Sequence, residues 1–358
     1  MHKSSLENML LELKQTEGAS DLIITQGTAP QLRVNGMLEP LGNAPMESTD
    51  LWKLVKNLLT EKQHDLYQVT KSIDFSSDFP NIAKFRFNVY FQRGEPAMAV
   101  RIIPCAIPSF AELGLPNIVE DFAERPHGLI LITGPAGSGK STTLAAILDY
   151  INQNKKLHII TIEDPIEYTH SHKTSTVDQR EIGADVRSFQ EALRHIFRQS
   201  PDVIMVGEMR DLETIQLVLT LAETGHLILA TLHTQDTTHA VNRIVDVFPV
   251  AQQQQIYFQL SQVLLGVIAQ QLVITKDTSR RVLATEVMVV NYAIRNLIRE
   301  MKVEQIYTVI QAGRSEGMIT MNESLHELLR GDIIHEHIAL HKTSKPRELL
   351  RLLNQTER

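Results

Sequence analysis

One stretch limits what this chain can fold into more than any other. Gly134-Pro135-Ala136-Gly137-Ser138-Gly139-Lys140-Ser141 fits G-x-x-x-x-G-K-[ST], the pattern of a phosphate-binding loop. Before it runs Gly128-Leu129-Ile130-Leu131-Ile132-Thr133, a short apolar run with the length of a buried strand. After it, Leu144, Ile147, Leu148 and Ile151 recur at helical spacing. Strand, glycine loop and helix is the arrangement that polyphosphate binding requires. The glycines let successive backbone N–H groups point inward, and the positive end of the helix dipole faces the same anion. Lys140 can then reach the β- and γ-phosphates, and the Ser141 hydroxyl can ligate Mg²⁺. A nucleoside triphosphate site is therefore the premise from which the rest of the chain is read.

The loop sits in a chain of 358 residues, long enough for two domains, with 43% hydrophobic and 22% charged residues, which suits a globular core. The net charge of −7 argues against a chain that coats nucleic acid. The only cysteine, Cys105, excludes an internal disulfide and a cysteine-based zinc site. The first residues, Met-His-Lys-Ser-Ser-Leu-Glu, lack an apolar signal core, and the longest apolar runs are too short to span a bilayer, so a soluble cytoplasmic protein is expected.

The chain divides by pattern. Residues 4–16 have helical apolar spacing through Leu6, Met9, Leu10 and Leu13, with Ser4 and Glu7 at capping-box spacing and Gly18 as the stop. Strands are predicted at Asp21–Thr25 and Gln31–Val34 with a turn at Asn35-Gly36, and a helix after Ser48-Thr49-Asp50. Ala83, Phe85, Phe87, Val89 and Phe91 alternate with Lys84, Arg86, Asn88 and Tyr90, a period of two that predicts a strand with one buried face. Ala97–Ile103 is its partner and carries Arg101. Residues 1–103 thus read as a small α+β domain. Pro104, Pro108, Gly114 and Pro116 mark a linker over 104–117, a candidate hinge.

From residue 118 apolar strands alternate with helices: Leu129–Thr133, His158–Ile162, Asp202–Val206 and Leu227–Leu232 are the strands. Such alternation predicts an α/β domain with a mostly parallel sheet, whose functional residues lie at the carboxyl ends of the strands. After about 249 the chain reads as mainly helical, with one long helix over Val250–Leu272, a short hairpin around Ser279-Arg280-Arg281, further helices at Tyr292–Glu300, Val303–Ala312 and Asn322–Leu329, and a tail helix from Lys345.

The strand ends supply the chemistry. The second strand ends in Glu163-Asp164-Pro165. Carboxylates there can polarise a water for attack on the γ-phosphate or hold Mg²⁺; Asp164 can equally cap the turn before Pro165. The third strand ends in Val206-Gly207-Glu208, an apolar run closed by an acid, which is the Walker B pattern and places Glu208 on Mg²⁺ or its water shell. His226 and His233 bracket the fourth strand, where an imidazole can sense a γ-phosphate, although a lone histidine is more commonly structural. Arg86, Arg101, Arg194, Arg198 and Arg210 are the candidate guanidinium donors to a transferring phosphoryl group; spacing alone does not choose among them.

Four motifs occur in order: Gly-Pro-Ala-Gly-Ser-Gly-Lys-Ser-Thr-Thr, Ile-Thr-Ile-Glu-Asp-Pro-Ile-Glu-Tyr, Val-Gly-Glu-Met-Arg-Asp and Ala-Glu-Thr-Gly-His-Leu-Ile-Leu-Ala-Thr-Leu-His-Thr. Together they resemble the secretion-superfamily ATPases, most closely the type IV pilus retraction members, and the resemblance covers nearly the whole chain. Ala-Ser-Asp-Leu at 19–22, Phe-Arg-Phe-Asn at 85–88, Arg-Ile-Val-Asp-Val-Phe-Pro at 243–249 and Ala-Ile-Arg-Asn-Leu-Ile-Arg-Glu at 293–300 extend it. The resemblance implies a PAS-like N-terminal domain and a RecA-like P-loop ATPase domain over 118–358 with a helical C-terminal part, with nucleotide bound between the two domains. It implies ATP and Mg²⁺ as ligands, held by Gly134, Pro135, Ala136, Gly137, Ser138, Gly139, Lys140, Ser141 and Thr142, with Ser141 and Glu208 on the metal, directly or through water. Glu163 would be the catalytic carboxylate, Glu208 the Walker B acid, His226 and His233 the histidine-box pair, and Arg86 and Arg101 the arginines from the first domain. A homohexamer would act on an inner-membrane pilus platform protein at its cytoplasmic face, with room for a second retraction ATPase in the task.

The single cysteine departs from extension-type members, which often carry a tetracysteine insert, and this favours retraction. The basic tail Lys342–Arg358 has no match in the family pattern. An accessory retraction paralogue is the nearest alternative. A RecA-like nucleic-acid motor would want a basic channel or stacking aromatics, and aromatics are only 5% here. A small-molecule kinase would want a lid rather than a domain of about 100 residues in front of the loop. A non-hydrolysing adaptor would not need Lys140, Ser141, Glu163 and Glu208 together.

Overall fold

Alternation builds the first sheet. In the computed structural model, which describes residues 3–34, 36–103, 106–278 and 280–356, the chain forms two units. Asn35 of the expected turn, Pro104 and Cys105 of the expected linker, Ser279 of the hairpin and Arg358 of the tail lie outside the described residues, as does the side chain of Ser4. The first unit runs through Ala106 and takes in Pro165–Thr169; the second comprises Ile107–Asp164 and His170–Arg358.

In the first unit α1 (Lys3–Gln15) is followed by β1 (Ala19–Ile24), β2 (Gln31–Val34), β3 (Met37–Pro40), α2 (Ser48–Leu58), α3 (Glu61–Thr70), β4 (Ser72–Phe79), β5 (Ala83–Gln92) and β6 (Glu95–Ile103). The six strands form one antiparallel sheet in the order β3-β2-β1-β6-β5-β4. Phe85, Phe87 and Val89 of β5 are fully buried with Leu10, Leu13, Leu51, Val55 and Tyr67 from the helices, so the helices cover one face. The intervening residues face the other way. Register sets Arg86 opposite Arg101, and Arg101 opposite Asp21. α3, β3 and β4 are additions to the sequence expectation. Thr60 and Gln63 form the capping box that starts α3, but the helix interior, Glu-Lys-Gln-His-Asp-Leu-Tyr-Gln-Val-Thr, offers little apolar periodicity.

The second unit opens with α4 (Phe110–Leu113) and α5 (Ile118–Glu124). The segment expected to be a linker therefore contains a helix, started by the Ser109–Glu112 capping box, and Leu115 is buried in the core of this unit. Then come β7 (Gly128–Thr133), α6 (Lys140–Asn154), β8 (His158–Glu163), β9 (Thr176–Glu181), α7 (Phe189–Ile196), β10 (Val203–Val206), α8 (Leu212–Glu223), β11 (Leu227–Leu232), α9 (Thr237–Asp246), α10 (Val250–Val263), β12 (Leu264–Ile274) and β13 (Arg281–Val289). Helices α11 (Tyr292–Arg299), α12 (Ile306–Ala312), α13 (Met321–Arg330), α14 (Glu336–Lys342) and α15 (Pro346–Thr356) complete it. The seven-stranded sheet has the order β13-β12-β7-β11-β10-β8-β9, parallel throughout except for β13. Every residue of β7, β10 and β11 is buried, as expected for strands covered on both faces.

The long helix expected over Val250–Leu272 stops at Val263, and Leu264–Ile274 is a strand beside β7. Two local features decide this. Val267, Ile268, Val273 and Ile274 are β-branched and fit the pleated, packed surface. Gly266 also lets the strand pass under α5, since a Cβ there would lie 2.2 Å from the Phe122 ring. The chain after 249 is therefore a helix, a strand pair that widens the sheet, and then helices.

Candidate nucleotide site

The phosphate loop leaves β7 at its carboxyl end and runs into α6. Gly134 takes φ 145°, and a Cβ there would lie 2.4 Å from the Gln270 carbonyl and 2.6 Å from Ser138 Oγ. Only glycine fits, because the backbone must turn tightly against β12. Gly139, at φ 89°, is the left-handed residue from which α6 begins. Lys140 is buried and donates from Nζ to the carbonyls of Gly134 and Pro135, at 2.9 and 3.0 Å. The ammonium thus lies across the loop mouth, where an incoming phosphate oxygen can replace those carbonyls.

Sheet register brings the acids to the same edge. Val206 of β10 stands opposite Ile162 of β8 on one side and Ala230 of β11 on the other, and Thr133 of β7 stands opposite Leu232. Glu163, Glu208 and His233 therefore leave their strands at the edge where the loop begins. Glu163 is buried, and its Oε1 accepts from Thr161 Oγ1 at 2.6 Å and from Gln179 Nε2 at 3.0 Å. Two donors on one oxygen fix the carboxylate's orientation. Asp164 is exposed beside it.

Glu208 is half-buried and pairs through Oε2 with Arg210 Nη2 at 2.6 Å and through Oε1 with His233 Nε2 at 3.1 Å. Partial burial pushes its pKa up, but the Arg210 hydrogen bond and the charges of His233, Arg210 and Lys140 outweigh that and hold the carboxyl below its ordinary value. Both oxygens are engaged, which suits contact with a metal through its water shell. Thr133 Oγ1 lies 2.7 Å from Thr234 Oγ1 and ties the start of the loop to the segment after His233.

Oxygen donors from Ser141 and Glu208 fit Mg²⁺, a hard cation that keeps several waters and takes the remaining ligands from substrate phosphates. Among the described residues no group of three or more His, Cys, Asp or Glu gathers into a metal site.

One expected site residue of the second unit lies at the opposite edge of this sheet. His226 precedes β11, so the length of that strand, about 20 Å at 3.3 Å per residue, separates it from this edge. Its Nδ1 lies 3.0 Å from the Leu221 carbonyl and 3.2 Å from Thr224 Oγ1. The expected histidine-box pair is thus split along β11, with His233 at the phosphate-loop edge and His226 at the other. Arg86 and Arg101 are in the first unit, each held by an acid: Arg101 Nε to Asp21 Oδ1 at 2.8 Å, and Arg86 Nη2 to Asp74 Oδ1 at 3.7 Å. Of the other arginines, Arg210 is beside Glu208, while Arg194 pairs with Glu213.

Two residues that the sequence reading passed over complete the Glu163 environment. Thr161, two residues before Glu163, shares its strand face, so period-two spacing could have found it. Gln179 sits on edge strand β9, whose polar run Thr-Val-Asp-Gln-Arg-Glu carries no such signal.

A parallel sheet with a phosphate loop, a buried carboxylate and a Walker B acid at one edge defines a P-loop nucleotide-binding protein. Residues 106–330 match the model of the Type II/IV secretion system protein family, and the chain belongs to that family. It is 45% identical over 305 residues to the twitching motility protein of Neisseria gonorrhoeae, covering 85% of this chain and 82% of that one. It is 44% identical over 337 residues to the type IV pilus retraction ATPase PilT of Pseudomonas aeruginosa, covering 94% and 98%. The fold matches the crystal structure of the pilus retraction motor PilT with bound ADP at a TM-score of 0.91 and 44% identity, over 98% of this chain and 99% of that one.

Proposed function

We propose that this chain is an ATP-hydrolysing motor that powers type IV pilus retraction. One observation carries the reading: identity of 44% to a retraction ATPase runs across 94% of the chain, in a fold that sets the phosphate loop and both acids at one sheet edge. Lys140 and the loop amides bind the β- and γ-phosphates. Glu163, oriented by Thr161 and Gln179, takes the proton from the attacking water. Mg²⁺, held by Ser141, the phosphates and water in contact with Glu208, would neutralise charge on the phosphates. His233 reaches Glu208 and is placed to respond when that charge changes. Arg86 and Arg101 would supply further positive charge to the transferred phosphoryl group in the assembled ring.

The assembly proposed is a homohexamer that acts on an inner-membrane platform protein from the cytoplasmic side, alongside a second retraction ATPase. No helix among the described residues is long and apolar enough to cross a membrane, so attachment would go through that partner. Deleting the gene tests the reading. A retraction motor predicts cells that still display pili and no longer twitch; loss of surface pili, or unchanged motility, would contradict it.

A further inference from the structure

Register lines up three residues on one face of the second unit's sheet. Thr133 of β7 stands opposite Ala269 of β12, and Ala269 stands opposite Glu286 of β13. The outer two hold the same stretch of chain, the segment that leads from His233 into α9. Thr133 Oγ1 accepts from Thr234 N at 3.0 Å. Glu286 Oε1 accepts from Thr237 N at 3.0 Å and from Thr237 Oγ1 at 2.7 Å. We infer that Glu286 is a positioning residue for hydrolysis: through Thr237 it fixes the 234–237 segment, and through that segment the place of His233 beside Glu208. The inference rests on the ATP-hydrolysing reading of the site.

Geometry, burial and chemistry support it. Thr133 and Glu286 are two strands apart, about 10 Å at the usual sheet spacing, and three extended residues reach about that far. The segment therefore spans β12 between two anchors, and Asp236 within it is extended, with φ −140° and ψ 175°. His233 adjoins the first anchor and is itself exposed, so the backbone anchors rather than core packing set its place. Its Nε2 lies 3.1 Å from Glu208 Oε1. Glu286 is buried, and the groups hydrogen-bonded to it are neutral: Thr237, and Met321 N at 3.5 Å. A carboxylate taken out of water among neutral donors costs stability, and burial pushes its pKa up. Starting α9 does not call for it, because Asp236 already caps that helix by accepting from His239 N at 2.8 Å. The far side of Glu286 is braced: Thr285 N donates to Ser324 Oγ at 3.0 Å, which ties β13 to α13.

Phosphate release from ATP and Mg²⁺ by the full chain tests the assignment, for the wild type, Glu286→Ala, His233→Ala and the double variant, with thermal midpoints to show that each is folded. Glu286→Ala should lower kcat about tenfold and leave KM for ATP unchanged, as expected when a group near the chemistry is displaced. In the His233→Ala background the same change should cost nothing further, because its effect travels through His233. A wild-type kcat in folded Glu286→Ala, a loss confined to KM, or losses that multiply in the double variant would overturn the inference and leave the ATPase reading in place. If Glu286→Ala does not fold, Thr237→Val carries the same cycle, since it keeps the side-chain shape and removes one donor to Glu286. A loss of about threefold, the scale of one hydrogen bond, that vanishes in the His233→Ala background would support the role; no loss, or a loss that multiplies, would overturn it. No release by the wild type would remove both readings.

Discussion

Glu163 sits in a setting suited to taking a proton: buried, with two donors on one oxygen and Glu208 at a neighbouring strand end. Glu163→Gln should leave nucleotide affinity intact and lower turnover by about a hundredfold, the scale of a lost general base; reduced binding instead would make Glu163 structural. The strand-end rule picked out Glu163 and Glu208 from the sequence because each closes an apolar run, and the phosphate-loop pattern picked out Lys140. It could not distinguish His226 from His233, since both border the same strand and only the direction of β11 separates them. Gln179 was not legible as a partner because nothing in its spacing records a contact across strands. His158 gives a pH test at the same scale. Burial lowers its pKa, but hydrogen bonds from its ring to Asp178 at 2.9 Å and to the Ser200 carbonyl at 3.2 Å outweigh this, and the folded-state pKa is raised. A raised pKa contributes stability that is present below the unfolded value and lost as pH rises through the folded one. His158→Gln should therefore lower the thermal midpoint more at pH 5.5 than at pH 8.5. An equal loss at both would contradict the pairing.

At the scale of elements, β12 is where the sequence misled and where packing explains why. Val250–Leu272 carries apolar residues densely enough to satisfy a helical template, and short apolar runs do not distinguish helix from buried strand. The outcome is settled by partners distant in sequence: β7 on one side, β13 on the other, and the Phe122 ring above Gly266. Gly266→Ala would push a methyl into that ring and should cost about 1–3 kcal/mol, as overpacked cores do. It should register as a lower thermal midpoint, and an unchanged midpoint would mean that α5 does not constrain the strand. β5, by contrast, was legible over Ala83–Phe91, one residue short of its end at Gln92, because one wet face and one dry face leave a period of two. α3, β3, β9 and α14 were missed for the opposite reason: they are short, polar or at an edge, and leave little pattern.

At the scale of the whole molecule, the sequence records a change from an antiparallel pattern to strand–helix alternation, but it does not record assembly. Composition carries no imprint of a ring. Light scattering in ATP and Mg²⁺ should return a mass near six subunits, and a monomer would remove the ring from the account. Hydrolysis itself is tested by phosphate release from ATP and Mg²⁺, followed for the wild type and Glu163→Gln with and without DNA. The account predicts steady release by the wild type that DNA does not alter and that Glu163→Gln reduces about a hundredfold. No release by the wild type, equal release by the variant, or release that rises with DNA would contradict it.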